Sequence, residues 1–241
     1  MGFGWNSRTE LLLGTARTER LAQSHVLVVG LGGVGSYTAE MLCRSGVGEM
    51  TIVDADVVSE TNLNRQLPAL HSTVGQAKCD VVALRLKDIN PELKLHVVHE
   101  FIRDEKTVQL LQAAHYDCVA DAIDSVSPKV FLIFHARQLG IPVVSSMGAG
   151  AKSDPQQVKV SDISKSYTCP LARIVRKRLH GLGVENGVEA VFSAEASDKE
   201  AVIETEGEQC KRTTCGTISY MTAIFGCMQA AAVIKLITQK E

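Results

Sequence analysis

The chain has 241 residues, enough to bury a sizeable core as one large domain or two small ones. Hydrophobic residues at 45% and charged residues at 22% match an ordinary globular protein, and a net charge of −2 excludes a global basic field for nucleic acid while leaving a local basic face open. Seven cysteines without a CxxC pair argue against a disulfide framework and a four-cysteine zinc site, and they point to a reducing cytoplasm.

Residues 1–24 predict an N-terminal helical arm. Arg8, Glu10, Arg17, Glu19 and Arg20 interrupt it, so it does not read as a signal peptide. Arg17 alone reads as a solvated charge. Residues 26–29 form a continuous β-branched run, as a strand buried on both faces requires. Gly30, Gly32 and Gly35 then satisfy GxGxxG, Gly33 adds a further glycine, and Ser36 opens a helix ending near Gly46. A strand, a glycine turn and a helix in that order suit a nucleotide phosphate held at a helix N-terminus. A second strand follows and ends at Asp54, close to the roughly 20-residue offset of a ribose-binding acid. Asp56 is a second carboxylate candidate.

Here the chain departs from a plain dinucleotide fold. It presents Asn62, Asn64 and Arg65, then a helix over 74–89 that carries Lys78 and stops at Asn90-Pro91. Two cations near the turn suggest more negative charge than a pyrophosphate carries, which a triphosphate would explain. Residues 95–99 predict a strand, 105–114 a helix and 118–123 another strand. Acids at the carboxyl ends of such strands face the ligand crevice, which makes Asp124 a candidate for Mg²⁺ and leaves Asp121 as structural. A helix over 128–139 and a strand over 141–146 complete a βαβαβαβαβ alternation across a nucleotide-binding core of 25–150.

Residues 151–241 read as an extension. Residues 158–163 alternate like an added antiparallel strand. The 171–180 stretch carries Arg173, Arg176, Lys177, Arg178 and His180, either a solvated helix face or contacts to an RNA backbone. Residues 195–212, with Glu204, Glu206 and Glu208, predict a mobile loop. No charge occurs over 216–234, but Thr217, Ser219, Tyr220, Thr222 and Gln229 favour a buried or interface helix over a membrane span. Cys215, after Lys211 and Arg212 and before that helix, is the thiol best placed for reactivity. Cys43, Cys79, Cys118 and Cys227 read as packing. His71, His99, His115 and His135 are scattered, with no metal or triad spacing.

Taken together, Gly30-Leu-Gly-Gly-Val-Gly-Ser36, Val53-Asp-Ala-Asp56, Asn62-Leu-Asn-Arg-Gln66 and Asp121-Ala-Ile-Asp124 resemble the ubiquitin-activating, ThiF and MoeB-like superfamily. Gly14-Thr-Ala-Arg17, Asp124-Ser-Val-Ser-Pro-Lys129, Gly148-Ala-Gly150 and Val191-Phe-Ser-Ala-Glu195 place the likeness nearest its tRNA threonylcarbamoyladenosine dehydratase branch. The resemblance implies a single ATP-binding domain over 1–241. Its fold would be α/β, a doubly wound, mostly parallel Rossmann-like sheet with an added antiparallel part and a C-terminal apolar helix. It implies adenylation of a carboxylate, with the glycine turn on the nucleotide, Asp54 on its ribose, Arg65 and Lys78 on phosphates, and Asp124 with Mg²⁺. Arg17 resembles an arginine that such homodimers insert into the neighbouring subunit's site. In the dehydratase branch the substrate would be a modified adenosine in tRNA, and a sulfur-transfer accessory protein is a candidate partner. Three alternatives stay open: an adenylyltransferase for a ubiquitin-like sulfur carrier, an NAD-dependent oxidoreductase, and a non-catalytic nucleotide-binding scaffold.

Overall fold

The computed structural model describes residues 4–204 and 213–239. Strand β1 (His25–Val29) is buried along its whole length, as its apolar run requires. It pairs in parallel with β2 (Glu49–Val53) on one side and β4 (Cys118–Asp121) on the other. Strands β3 (Lys94–Val98), β5 (Val143–Ser146), β6 (Val158–Asp162) and β7 (Glu189–Ser193) complete a seven-stranded sheet. Its order is β3-β2-β1-β4-β5-β7-β6, and β6 alone runs antiparallel, against β7.

Side chains alternate across this sheet and feed two apolar layers. Val26, Val28, Met50, Ile52, Ala120 and Val144 face α3 (Gly35–Arg44), α4 (Lys78–Ile89) and α8 (Ser219–Thr238). Leu27, Val29, Val53, Val119, Val143 and Phe192 face α5 (Glu105–Gln112), α6 (Val126–Gln138) and α7 (Pro170–Gly181). The N-terminal arm is two helices, α1 (Ser7–Leu13) and α2 (Thr15–Gln23), broken at Gly14 with φ +82°.

Helix α8 is long and apolar enough to cross a membrane, but it is a core element here, burying Met221, Phe225, Val233 and Ile237. Gln229 lies fully buried within it. Its amide donates to the Asp121 and Val144 carbonyls at 2.8 and 2.9 Å and accepts from Thr38 Oγ1 at 2.8 Å. This one polar side chain ties α3 and α8 to the sheet, and its satisfied amide makes burial tolerable.

Three elements differ from expectation. The helix expected from residue 74 begins at Lys78. Gly75 takes φ +87° and its N–H bonds to the Val58 carbonyl, while Val57 bridges Ala77, so the preceding backbone pairs with the loop instead of coiling. Residues 195–212, expected as loop throughout, contain β8 (Val202–Glu204), which pairs with β9 (Thr213–Cys215). Residues 205–212 of that loop, including Glu206, Glu208, Cys210, Lys211 and Arg212, lie outside the described residues. Strand β7 was not anticipated from the sequence and inserts between β5 and β6.

Candidate nucleotide site at the switch point

The strand order reverses at β1, because β2 continues the sheet on one side and β4 on the other. A crevice opens outside the carboxyl ends of strands at such a point. The glycine turn follows β1, Asp54 follows β2 and Asp124 follows β4.

Two glycines of the turn are sterically required. Gly30 has φ +90°, and a Cβ there would lie 2.9 Å from the Ala122 carbonyl oxygen. A Cβ on Gly35 would sit 1.7 Å from the Gly30 carbonyl oxygen. The turn is therefore packed backbone against backbone, with the β4 loop on one side. Gly33 faces Thr222 of α8, and Gly32 faces the side chain of Gln66. Ser36 is fully buried, and its hydroxyl donates to the Gly32 carbonyl at 2.6 Å, which locks the turn from inside.

Asp54 bridges the two strand ends. Oδ2 accepts from the Leu31 N–H at 2.6 Å and Oδ1 from the Asp56 N–H at 2.8 Å. Burial pushes its pKa above the ordinary value, against the pull of Lys78 and those two donors. Lys78, itself buried, pairs with Asp56 Oδ2 at 2.7 Å, and Asp56 is exposed to solvent. Asp56 thus serves the lysine, and the Lys78 N–H bonds to the Asp56 carbonyl as well.

The loop between β2 and α4 is held in place by its own asparagines. Asn62 is buried and accepts from the Ser59 N–H at 3.2 Å, while Asn64 Nδ2 donates to the Thr217 carbonyl at 3.0 Å. Arg65 Nη1 donates to the Thr61 carbonyl at 2.8 Å and to Asn64 Oδ1 at 2.9 Å. Burial lowers the Arg65 pKa and the nearby Asp124 carboxylate raises it, which places these two opposite charges within electrostatic reach. Asp124 is exposed at the crevice and accepts from Ser125 Oγ at 3.3 Å.

The glycine turn, Asp54 and Asp124 therefore stand at the carboxyl ends of β1, β2 and β4, with Asp56, Asn62, Asn64, Arg65 and Lys78 on the segment that leads from β2 into α4. Arg17 does not join them: it is exposed on α2, and among the described residues no recorded contact links it to Arg65, Lys78 or Asp124. Cys215 packs against Gly150, where a Cβ would come within 2.7 Å of its own Cβ. Burial pushes the Cys215 thiol up, away from the reactive thiolate.

Thr222, which sequence reasoning passed over as a site residue, and Asp121, expected to be structural, support the site from behind. Thr222 Oγ1 donates to the Arg65 carbonyl at 3.3 Å, so the first turn of α8 braces the arginine loop. Asp121 holds the Ile123 N–H at 3.0 Å and is paired with fully buried Lys129 at 2.6 Å, which fixes the loop carrying Asp124. No local motif could have revealed Thr222, because its partner is 157 positions away.

The ThiF family model matches residues 6–241. The chain is 39% identical over 256 residues to the tRNA threonylcarbamoyladenosine dehydratase of Escherichia coli, covering 98% of this chain and 95% of that protein. It is 45% identical over 190 residues to the Bacillus subtilis protein of the same name, covering 79% and 74%. A crystal structure of the E. coli dehydratase with ATP superposes with a TM-score of 0.87 at 36% identity, covering 98% of this chain and 97% of that one. The chain belongs to the ThiF family and, within it, to the tRNA threonylcarbamoyladenosine dehydratases.

Proposed function

We propose that this protein uses ATP to activate the carboxylate of a threonylcarbamoyl group on a tRNA adenosine and closes that group into a dehydrated ring. The near full-length likeness to the E. coli dehydratase solved with ATP carries the reading. The chain's own residues fit the nucleotide. Added Cβ atoms at Gly30 or Gly35 would clash with the backbone that forms the cradle. Beside Gly32, the buried Gln66 Oε1 has no hydrogen-bond partner among the described residues. Asp54 keeps free lone pairs for ribose hydroxyls while its backbone donors hold it still. Asp124 is the acid that would hold Mg²⁺, which when bound would neutralise charge on the departing pyrophosphate.

The threonyl carboxylate oxygen attacks the α-phosphorus and pyrophosphate leaves. Negative charge grows at phosphorus and on the leaving group, where Arg65 and Lys78 stabilise it. Because Asp56 is exposed, the Lys78–Asp56 pair opens toward a phosphate at little cost. The carbamoyl nitrogen then attacks the activated carbonyl, AMP leaves with the carboxylate oxygen, and the nitrogen loses its proton. Ring closure gains from proximity and needs no protein thioester, consistent with a Cys215 thiol held up by burial.

The RNA surface is α7. Arg173, Lys177 and Arg178 are exposed on it, and Arg178 Nη1 donates to Ser127 Oγ at 2.9 Å, three residues from Asp124. Arg176 instead turns inward to Ser166 and Ile163. The working form is a homodimer in the cytoplasm, with Arg17 reaching the neighbouring subunit's crevice. Leu11 and Leu12 on α1 are 78% and 82% exposed and supply apolar surface for that contact. A stable monomer in light scattering would remove the dimer. A sulfur-transfer accessory protein stays a candidate partner by resemblance.

The decisive experiment is mass spectrometry of tRNA incubated with protein, ATP and Mg²⁺. Threonylcarbamoyladenosine loses one water, and Arg65→Ala slows this by about 10²–10³-fold with the fold intact. ATP–pyrophosphate exchange driven only by a Gly-Gly-ending carrier protein would replace this reading with the sulfur-carrier one. Tight NAD binding without ATP binding would remove both.

A further inference from the structure

At the opposite end of the sheet, three strands bring together side chains that lie far apart in the sequence. His25 opens β1 and pairs in register with Glu49, which opens β2. His96 lies on β3 opposite Thr51. Their nearest ligand atoms all fall within 4.8 Å of one another. We propose that His25, Glu49 and His96 form a binding site for a divalent cation of the zinc type, separate from the nucleotide crevice.

The geometry favours this over a plain ion pair. His96 Nε2 lies 2.9 Å from Glu49 Oε1, as a simple pair would. His25 Nδ1 lies 3.6 Å from the same oxygen, too far for a hydrogen bond. Zinc bonds of about 2.0–2.1 Å in a tetrahedron set ligand atoms roughly 3.4 Å apart, and the two observed spacings bracket that value. The His25 ring is already oriented. Nε2 meets Thr51 Oγ1 at 2.9 Å, the kind of outer partner that fixes a metal-binding imidazole, and the His115 carbonyl also lies by the ring.

Access and chemistry agree. The His96 and Glu49 side chains are 55% and 31% exposed, while the His25 side chain is 9% exposed. One anchored and two accessible ligands leave room for water to complete four-coordination. Two imidazoles and one carboxylate suit zinc, copper or nickel better than Mg²⁺. With ligands on three strands, the ion binds only the folded chain and stabilises it.

The test is titration of chelator-stripped protein with Zn²⁺ by calorimetry, and with Co²⁺ by visible absorption. One ion per chain is expected, with four-coordinate Co²⁺ bands and no thiolate charge transfer. His96→Ala and Glu49→Gln should each weaken binding by at least about tenfold and abolish the rise in Tm with Zn²⁺. Asp124→Asn should leave this site intact. Wild-type affinity in both variants, a thiolate-to-cobalt band, or loss of the site in Asp124→Asn would each overturn the proposal. If His96→Ala does not fold, the near-isosteric Glu49→Gln decides.

Discussion

Two lysine–aspartate pairs of almost equal length stand near the crevice and do opposite work. Lys129 meets Asp121 at 2.6 Å with both side chains 0% exposed. Lys78 meets Asp56 at 2.7 Å, but the lysine is 6% and the aspartate 69% exposed. The first pair is sealed. Lys129 also donates to the Ser146 carbonyl at 2.9 Å, and Asp121 also accepts from Ser145 Oγ and the Ile123 N–H. Every strong group is used, so the pair fixes where the Asp124 loop stands. The second pair is open, so its lysine can exchange a hydrated carboxylate for a phosphate. Equal distances conceal this difference, and burial of the acid reveals it.

The sharpest break of the comparison is Lys129→Met. It leaves an uncompensated carboxylate in the core and should cost about 3–5 kcal/mol, read from urea denaturation. Adding Asp121→Asn should recover part of that loss, because the coupled sites are not additive. A single variant within about 1 kcal/mol of wild type would show that the pair is not sealed.

Lys78→Met should do the reverse. The methionine keeps most of the apolar stem, and Asp56 remains hydrated, so stability should fall by less than about 1 kcal/mol. Turnover should fall by about 10²-fold, because a cation aimed at the developing charge is gone. Unchanged turnover with lowered stability would make Lys78 a structural residue like Lys129.

These roles were unevenly legible in the sequence. The run into Gly30, the glycine turn and Asp54 could be read because each depends on neighbours within one βαβ unit. Arg65 could be read as a cation in the loop after β2 and Asp124 as an acid at a strand end, but not as opposite charges within reach of each other. Asp121 and Lys129 lie eight positions apart, yet their shared burial depends on β5, which supplies Ser145 and Ser146. Strand β7 escaped notice because Glu189–Ser193 is short and carries no period, and its assignment rests on partners β5 and β6. His25 and His96, which the sequence did not single out, converge when register brings β1, β2 and β3 side by side. Contacts closed over long chain separations leave no local pattern.

A buried acid with two cations lies between the two extremes and gives the smallest effect. Glu40 of α3 is a buried acid whose cations are half exposed: Arg44 at 2.8 Å is 50% exposed, and Arg85 is 48% exposed. Burial alone would raise the Glu40 pKa, but hydrogen bonds from Arg85 and Arg44 outweigh it and hold the carboxyl below its ordinary value. A carboxylate depressed in the folded state contributes stability above its unfolded pKa and loses it as pH falls through the folded one. Glu40→Gln should therefore cost about 1 kcal/mol or less near neutral pH, since both arginines are solvent-screened. In acid, below the folded pKa, wild type and variant should converge. Urea midpoints at neutral and acid pH test this. A gap of the same size at both would mean that shape, and not charge, gives Glu40 its place, and Glu40 would then not belong in the series that runs from sealed to open.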